Sequence, residues 1–408
     1  MKLVLIIPPS PWMISDRDQL CLGPLYVSSF LKAHGHEVQV VDLAGIPEEY
    51  WYFPVGDIYG VTGVTPQFVY MKKIIDRLKE REPNKKVVVG GVHATVAMNH
   101  IFKNTQADDC IRGEGEITML NMMENKIQKE IAENIDSLPF PDRESCDYFS
   151  YLIPGIHKFV SNAKREAKII TSRGCPYDCA FCASKKIWGR KVRYRSSENV
   201  AEEFAMLKQK YAVDIVNVID DTFTVNKDHV SKICDHIRPL EMKWYCLSRP
   251  DCIDEGLLKE MKSAGCESVT FGFESGSDRI LELINKKTTV SQAHKAIKMV
   301  KKAGIKIRGQ IMVGLPTETE KDVELTADFI EYAKDVDVFG IHVFRPYPGT
   351  DIWDNPDKYN IEIDKDTDFS DWHTCGKRYA RLSKDEKIQG WYEYLCSVAG
   401  TKDITRCS

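Results

Sequence analysis

The sequence predicts an α/β protein made of two parallel-sheet domains, and three observations carry that expectation. Short β-rich apolar runs alternate with helix-period stretches over the first 130 residues. The alternation resumes near residue 167, after an interruption rich in proline and polar residues. In both regions the unusual residues fall just after the strands. At 408 residues the chain exceeds one typical domain and can bury two cores plus a short tail.

In the first domain, 1–130, strands are predicted at 3–7, 38–42, 58–63, 86–90 and 109–113. Helical spacing separates them: Leu25, Val27, Phe30 and Leu31 share one face over 24–34, and Phe68, Met71, Ile74, Ile75 and Leu78 share one over 66–81. Five parallel strands with crossover helices give an open, doubly wound, Rossmann-like sheet. Such sheets bind ligands beyond the carboxyl ends of their strands. Pro8-Pro9-Ser10, Thr62-Gly63-Val64-Thr65, Gly90-Gly91-Val92-His93 and Gly113-Glu114-Gly115-Glu116 all fall there. Neither the Gly-x-Gly-x-x-Gly dinucleotide fingerprint after the first strand nor a Gly-x4-Gly-Lys phosphate loop is present.

A linker is predicted over 131–166, where Pro139, Pro141 and Pro154 break the alternation. The second domain, 167–350, then has strands at 169–172, 215–219, 242–247, 268–273, 306–313 and 338–344. Its helices lie at 198–210, 227–237, 255–264, 291–303 and 318–334. Six strands are too few for an eight-fold barrel, so a curved, partly open (β/α)6 barrel of TIM type is expected. The remainder, 351–408, is read as a C-terminal cap. Trp353, Trp372, His373, Cys375, Trp391 and Cys396 there either line a substrate pocket or pack a small core, and Cys375, Cys396 and Cys407 leave a further metal site open.

A net charge of −4 argues against a protein that coats nucleic acid or an anionic membrane, so neither partner is expected. The run 3–7 is too short for a signal-peptide core or a membrane span. Thirteen cysteines are scattered along the chain, but three sit within eight positions, which suggests a metal site in a reducing, cytoplasmic compartment.

Those three, Cys175, Cys179 and Cys182, follow the first strand of the second domain, on the loop at a barrel's active face. A zinc site would pair them with a second Cys or His pair, and none follows at short range. Three thiolates can hold three irons of a cubane and leave the fourth without a protein ligand. A zinc knuckle or a chance cluster is the plainer alternative. With Phe181 before the last cysteine, the C-x3-C-x2-C spacing resembles the signature of the radical S-adenosylmethionine (SAM) superfamily. That resemblance extends over most of 167–350, through Ile219-Asp220-Asp221-Thr222-Phe223, Ser248-Arg249-Pro250, Gly272-Phe273-Glu274-Ser275-Gly276, the stretch from Gln310 to Gly314-Leu315-Pro316, and Arg345-Pro346-Tyr347-Pro348-Gly349. It implies a 4Fe-4S cluster on the three cysteines, with an open iron that chelates SAM and cleaves it on reduction to a 5′-deoxyadenosyl radical. By the same resemblance Glu274 and Ser275 reach the ribose or methionine part of SAM, Arg249 pairs with its carboxylate, and Asp220 or Asp221 accepts from its ammonium. The stretch Gln310 to Gly314 would pass under the adenine. For each acid a turn or helix-cap role is the alternative.

Taken with this second domain, the first 130 residues resemble the cobalamin-binding module that precedes one large radical SAM class. Leu22-Gly23-Pro24-Leu25-Tyr26, His34-Gly35-His36-Glu37-Val38 and the four strand-end segments carry the match. The resemblance implies cobalamin contacts from Pro8, Pro9, Leu22, Gly23, Thr62, Gly63, Val64, Thr65, Gly90, Gly91, His93, Glu114, Gly115 and Glu116. It departs from the D-x-H-x-x-G type, since Pro8-Pro9-Ser10-Pro11-Trp12 offers cobalt no histidine after strand one. His34 and His36 are read as surface residues at the opposite edge. His93 equally suits a helix start, and Glu114 and Glu116 equally suit a helix N-terminus.

With both cofactors the resemblance implies a cobalamin-dependent C-methyltransferase that passes methyl from SAM through methylcobalamin to an unactivated carbon. Its electrons would come from a ferredoxin or flavodoxin. The compact tail suggests a peptide or protein substrate, glutamine C-methylation of methyl-coenzyme M reductase being one candidate, beside small-molecule natural-product intermediates. A cobalamin-dependent cyclase or rearrangement enzyme is the alternative within the cofactor class. A non-enzymatic cobalamin or iron–sulfur carrier or sensor is the alternative outside it. Methylthiotransferases are disfavoured, because only the widely separated Cys21, Cys110 and Cys146 precede Cys175.

Overall fold

In the computed structural model the described residues are 1–13, 15–18, 20–126, 131–153, 163–370, 372 and 385–400. Five parallel strands form the first sheet: β1 (Lys2–Ile7), β2 (Glu37–Asp42), β3 (Ile58–Thr62), β4 (Lys86–Gly90) and β5 (Asp109–Cys110), in the order β2-β1-β3-β4-β5. The direction of winding switches at β1, which pairs with β2 on one side (Leu3 with Val38) and β3 on the other (Leu3 with Ile58). A crevice at the carboxyl ends is expected at such a switch. Helices α1 (Leu22–Ala33), α2 (Phe68–Arg81), α3 (Gly91–Val96), α4 (Met98–Asn104) and α5 (Glu116–Met123) cover the sheet. Successive strand residues serve opposite faces: Val4, Ile6, Tyr59 and Val61 pack on α2, while Leu3, Leu5, Ile58 and Val88 pack on α1 and α5. Burial on both faces is why these strands read as continuous apolar runs. The predicted strand at 109–113 spans only Asp109–Cys110, since its pairing partner β4 ends at Gly90, and Gly113 then turns left-handed at φ +76°.

In the second sheet β6 (Glu166–Ile169), β9 (Ile215–Val218), β10 (Lys243–Ser248), β11 (Cys266–Glu274), β12 (Lys306–Val313) and β13 (Val338–Val343) pair in sequence order, all parallel. Strands β6 and β13 are its two edges, so this is a six-stranded open barrel wall rather than a closed one. Between β6 and β9 lie a small antiparallel pair, β7 (Ser172–Arg173) with β8 (Arg193–Tyr194), and the short helix α6 (Ser184–Ile187). The outer helices are α7 (Ser197–Tyr211), α8 (Lys227–Ile237), α9 (Glu255–Ser263), α10 (Asp278–Leu283), α11 (Val290–Lys302) and α12 (Glu320–Tyr332). Their starts are fixed by side chains: Ser196, Asn226 and Asp254 accept backbone N–H groups, and Thr289 with Gln292 forms a capping box. After α13 (Asp351–Asp354), α14 (Glu386–Ala399) packs on β13 and α12.

Two regions differ from the sequence reading. The first barrel strand runs 166–169 instead of 169–172, because Thr171 and Ser172 turn out of the sheet to serve β7. The stretch read as a linker is a packed strap whose Ile135, Leu138, Tyr148, Tyr151 and Leu152 are buried. Within it Arg143, 1% exposed, donates to Glu203 on α7 (2.6 Å) and to the Lys168 carbonyl (3.1 Å). Leu22, Leu25 and Tyr26 of α1 join the barrel core, so one apolar cluster bridges both sheets. Trp353 and Trp372 pack with Phe369, and Cys396 lies inside the barrel core, which is the packing reading of the tail. His373, Cys375 and Cys407 lie outside the described residues. Among the described residues no helix is long and apolar enough to cross a membrane.

Candidate functional site

The cysteine loop leaves β7 through Gly174 at φ +114°, where an added Cβ would overlap the Lys191 carbonyl oxygen, so the turn requires glycine. Hydrogen bonds then pin the loop to distant elements. The Ala180 amide donates to the Ile284 carbonyl (2.8 Å), the Asn285 side chain donates to the Asp178 carbonyl (2.6 Å), and the Ile352 amide donates to the Ala180 carbonyl (3.1 Å). Cys175 and Cys179 are buried and Cys182 half-buried. Burial pushes the Cys179 thiol up and the Cys182 thiol up to about 12, so their thiolates require a cationic partner. Among the described residues no three His, Cys, Asp or Glu side chains converge as ligands of a single ion do. A cubane takes each thiolate at a separate iron corner.

These thiols form one wall of a cavity of about 460 Å³ at the carboxyl ends of the barrel strands, with Asp221, Arg249, Glu274, Gln310 and His342 around it. The two neighbouring aspartates part company. Asp221 faces the cavity and accepts from the Ser184 hydroxyl, and burial pushes its carboxyl upward. Asp220 is withdrawn beneath it: its carboxylate accepts from the Thr171 amide (2.7 Å) and from the Thr171 and Ser172 hydroxyls (2.6 Å each), fixing the β6–β7 turn. Glu274 closes β11 at φ +66°, beyond a register shift after Gly272, and receives Lys286 Nζ at 2.7 Å. A Cβ on Gly272 would collide with the Glu274 carboxylate, so that glycine makes room for the acid.

Ser275 is turned away from the cavity, its hydroxyl 3.2 Å from Thr326 and accepting the Ser277 amide. Gln310 and His342 meet at 2.7 Å on the cavity floor, and with the amide oxygen toward Arg308 the Gln310 nitrogen donates to His342 Nε2. Gly314 does not reach the cavity. Its amide donates to Glu318 (2.6 Å), and a Cβ there would lie 2.8 Å from Ile388 of α14, so its close approach serves the C-terminal helix. The expected fork of Arg249 already holds an acid: Nε and Nη2 each lie 3.0 Å from the Asp251 carboxylate.

A second cavity, about 340 Å³, opens at the carboxyl edge of the first sheet. Of the residues singled out from the sequence, Leu22, Gly23, Thr62, Gly63, Val64, Gly90, Gly91, Glu114, Gly115 and Glu116 line it, over a floor of apolar Leu5, Val27, Val88 and Met119. A Cβ on Gly23 or Gly90 would meet nothing within 4 Å, so both glycines face open space in this slot. Gly91 instead serves the fold, since at φ +86° its Cβ would strike Thr62 Oγ1 at 2.6 Å, and its bare backbone lets β4 pass close to β3.

Four residues expected here lie elsewhere. Pro8 and Pro9 are buried in the loop held by Gln67, whose side chain donates to the Pro8 carbonyl (2.9 Å). Thr65 is buried, with its hydroxyl 3.3 Å from His93 Nδ1. His93 is a core histidine packed between Phe68, His100 and Phe369, and burial lowers its pKa to about 3, so the ring is neutral.

Residues 169–330 match the family model of the Radical SAM superfamily, and 18–122 that of the B12 binding domain. An uncharacterised methyltransferase of Pyrococcus horikoshii is 30% identical over 393 residues, covering 87% of this chain and 83% of its own. The chain belongs to the cobalamin-dependent radical SAM enzyme family. An anaerobic magnesium-protoporphyrin IX monomethyl ester cyclase of Rubrivivax gelatinosus is 28% identical, covering 73% of this chain and 58% of its own length. Among solved structures, the radical SAM methyltransferase TsrM from Kitasatospora setae, with cobalamin and a four-iron four-sulfur cluster bound, matches with a TM-score of 0.68 at 17% identity. That match covers 86% of this chain and 76% of the other, and shows the shared fold. The cofactors of this radical SAM enzyme are a 4Fe-4S cluster, SAM and cobalamin, and the Pyrococcus relative is named as a methyltransferase.

Its residues fit those groups. Three thiols pinned on one loop at the cavity wall suit a cluster, Asp221 and Glu274 offer carboxylates to an ammonium or ribose, and the open space before Gly23 and Gly90 over an apolar floor suits the flat base of a nucleotide tail. Sequence reasoning missed Lys286, which reaches the cavity from the connection after α10 and whose partner Glu274 is twelve residues away. It also missed His342, although a lone polar residue inside the apolar strand β13 was the available signal.

The GEGE acids do more than charge a helix start. Arg173 donates to Glu114 (2.5 Å) and Glu116 (2.7 Å), Arg193 joins Glu114, and all four side chains are buried between the sheets. The Arg173 guanidinium also lies over the rings of Tyr26 (5.1 Å) and Trp188 (5.2 Å). Removing one member strands a buried charge, so Arg173→Met is expected to lower unfolding stability by about 3–5 kcal/mol in denaturant titration. A loss below about 1 kcal/mol, the range of an exposed pair, would show that the quartet is not a clamp.

Proposed function

We propose that this enzyme transfers a methyl group from SAM to an unactivated carbon of a substrate held between the two cavities. The observation that supports this reading is the shared partition. Arg173 and Ile219 wall the first-sheet cavity, while Cys175 and Asp221, each two residues further on, wall the barrel cavity. When bound, the cofactors supply hydrogen-atom abstraction and a transferable methyl group. The chain positions them. Asp221 and Glu274 accept from SAM, Lys286 holds Glu274 in place, and Gln310 with His342 presents a polar floor to adenine or substrate. Phe181, Met312 and Phe344 exclude water from the same space. Leu22, Gly23, Thr62, Gly63, Val64, Gly90 and Gly115 hold cobalamin.

Residues 1–130 are read as the cobalamin domain, 167–350 as the radical SAM barrel and 351–408 as its cap. A ferredoxin or flavodoxin supplies electrons. The substrate is a peptide side chain, glutamine of methyl-coenzyme M reductase first among those to offer, or a small natural-product intermediate. Anaerobically reconstituted protein, supplied with SAM, a one-electron reductant and candidate substrates, is expected to form 5′-deoxyadenosine and a product 14 Da heavier. Product that is rearranged without added mass would replace this reading with the cyclase activity that the Rubrivivax relative is named for. Absence of any 5′-deoxyadenosine would leave a carrier.

A further inference from the structure

We infer that Arg249 tunes the reduction potential of the iron–sulfur cluster from the Cys179 side, as a positioning residue for electron transfer rather than a ligand of the SAM carboxylate. The inference rests on the cluster assignment above. Arg249 follows the last residue of β10 and is 4% exposed. Its guanidinium is fixed on every side but one. Nε and Nη2 grip the Asp251 carboxylate at 3.0 Å each, Nη2 also donates to the Lys286 carbonyl (2.7 Å), and the carbon centre lies 3.6 Å from the centroid of the Tyr177 ring. The Tyr177 hydroxyl is in turn 2.8 Å from Cys252 Sγ, which ties the ring that the cation rests on. The remaining nitrogen, Nη1, lies 3.7 Å from Cys179 Sγ.

Asp251 takes the Nε/Nη2 face of the guanidinium, and the end-on face is already spent, its Nη2 hydrogen on the Lys286 carbonyl and its Nη1 hydrogen toward Cys179, so no bidentate face is left for another carboxylate. What it presents to the site is an N–H and a positive charge at one cluster sulfur. Hydrogen bonds to cluster sulfurs and nearby charge are established determinants of cluster potential. Reduction adds one electron from a low-potential donor, no bond forms or breaks, and Arg249 keeps its proton. The added negative charge is favoured by a cation held close in a medium of low dielectric. Asp251 offsets that cation only in part, since its side chain is 21% exposed and partly screened by water, against 5% for Arg249. The nearby ammonium of Lys286 is committed to Glu274 at 2.7 Å.

The test is an anaerobic, EPR-monitored redox titration of the full-length reconstituted protein without SAM, so that loss of a carboxylate contact cannot move the result. Arg249→Gln with full iron loading is expected to lower the reduced-to-oxidised ratio at a fixed poise about tenfold, which is about 59 mV for a one-electron couple. Arg249→Lys, which keeps the charge, is expected to recover most of that shift. Asp251→Asn, which leaves the guanidinium less compensated, is expected to shift the ratio the other way. A fully loaded Arg249→Gln with the wild-type ratio overturns the inference. If that variant takes up no iron, Asp251→Asn decides: a rise supports the inference and no change overturns it. Wild-type protein that takes up no iron would instead sink the cluster assignment itself.

Discussion

Alanine at Cys175, Cys179 or Cys182 should each give a folded protein that has lost its cluster absorbance and forms no detectable 5′-deoxyadenosine from SAM under reducing conditions. The three thiols are held apart by a loop anchored at Ile284, Asn285 and Ile352, so a neighbour cannot swing in to replace a missing one. Loss of any corner ligand also frees a second iron and removes the asymmetry that leaves one iron for SAM. The controls are Cys234, Cys246 and Cys266, fully buried thiols in the barrel core with no place in either cavity. Alanine at those positions should keep iron content and SAM cleavage unchanged while lowering stability modestly through lost packing. Iron content and 5′-deoxyadenosine yield measured side by side decide the matter. Cluster retention in a Cys179→Ala protein, or zinc in the wild-type site, would remove the basis of the mechanism.

Both sheets could be read from the sequence because each strand is a short apolar run and each is followed by a helical period, which is the pattern imposed by burial on two faces. The cysteine loop was legible for a related reason: spacing within one loop is a local property. What the sequence hid depends on which way adjacent residues face. Asp220 and Asp221 are equally acidic and follow the same strand, yet one turns under the loop to Thr171 and Ser172 while the other meets the cavity. Glu114 and Glu116 resemble a helix-start charge until Arg173 and Arg193, between 57 and 79 residues away in sequence, are seen to take them. His93 follows the Gly90-Gly91 pair at the cavity edge but points the other way, into an aromatic core assembled from α2, α4 and residue 369. Arg249 was expected to fork an incoming carboxylate, and it forks one two residues away. Each of these depends on a contact that only the folded chain creates.

Gly90, the last residue of β4, and Gly91, the first of α3, separate a cofactor requirement from a folding requirement. Gly90 sits at φ −128°, an ordinary extended conformation, and a side chain there projects into the empty slot rather than into protein. Gly90→Leu should therefore fold with near wild-type stability and fill part of the cavity of about 340 Å³ proposed to take the nucleotide tail of cobalamin. Cobalamin affinity, followed by its visible absorbance in equilibrium titration, is expected to fall about a hundredfold or more, which corresponds to about 2.7 kcal/mol. Iron loading and reductive SAM cleavage should persist, because Gly90 touches no part of the barrel cavity. Gly91→Ala makes the converse case. At φ +86° any side chain is strained by about 1–2 kcal/mol, and the Cβ would press on Thr62 and Gly63, so this variant should lose stability first and cobalamin as a consequence. If Gly90→Leu binds cobalamin as tightly as the wild type, the tail does not enter this cavity. The partition of Arg173, Cys175, Ile219 and Asp221 would then not be the place where methyl donor and substrate meet.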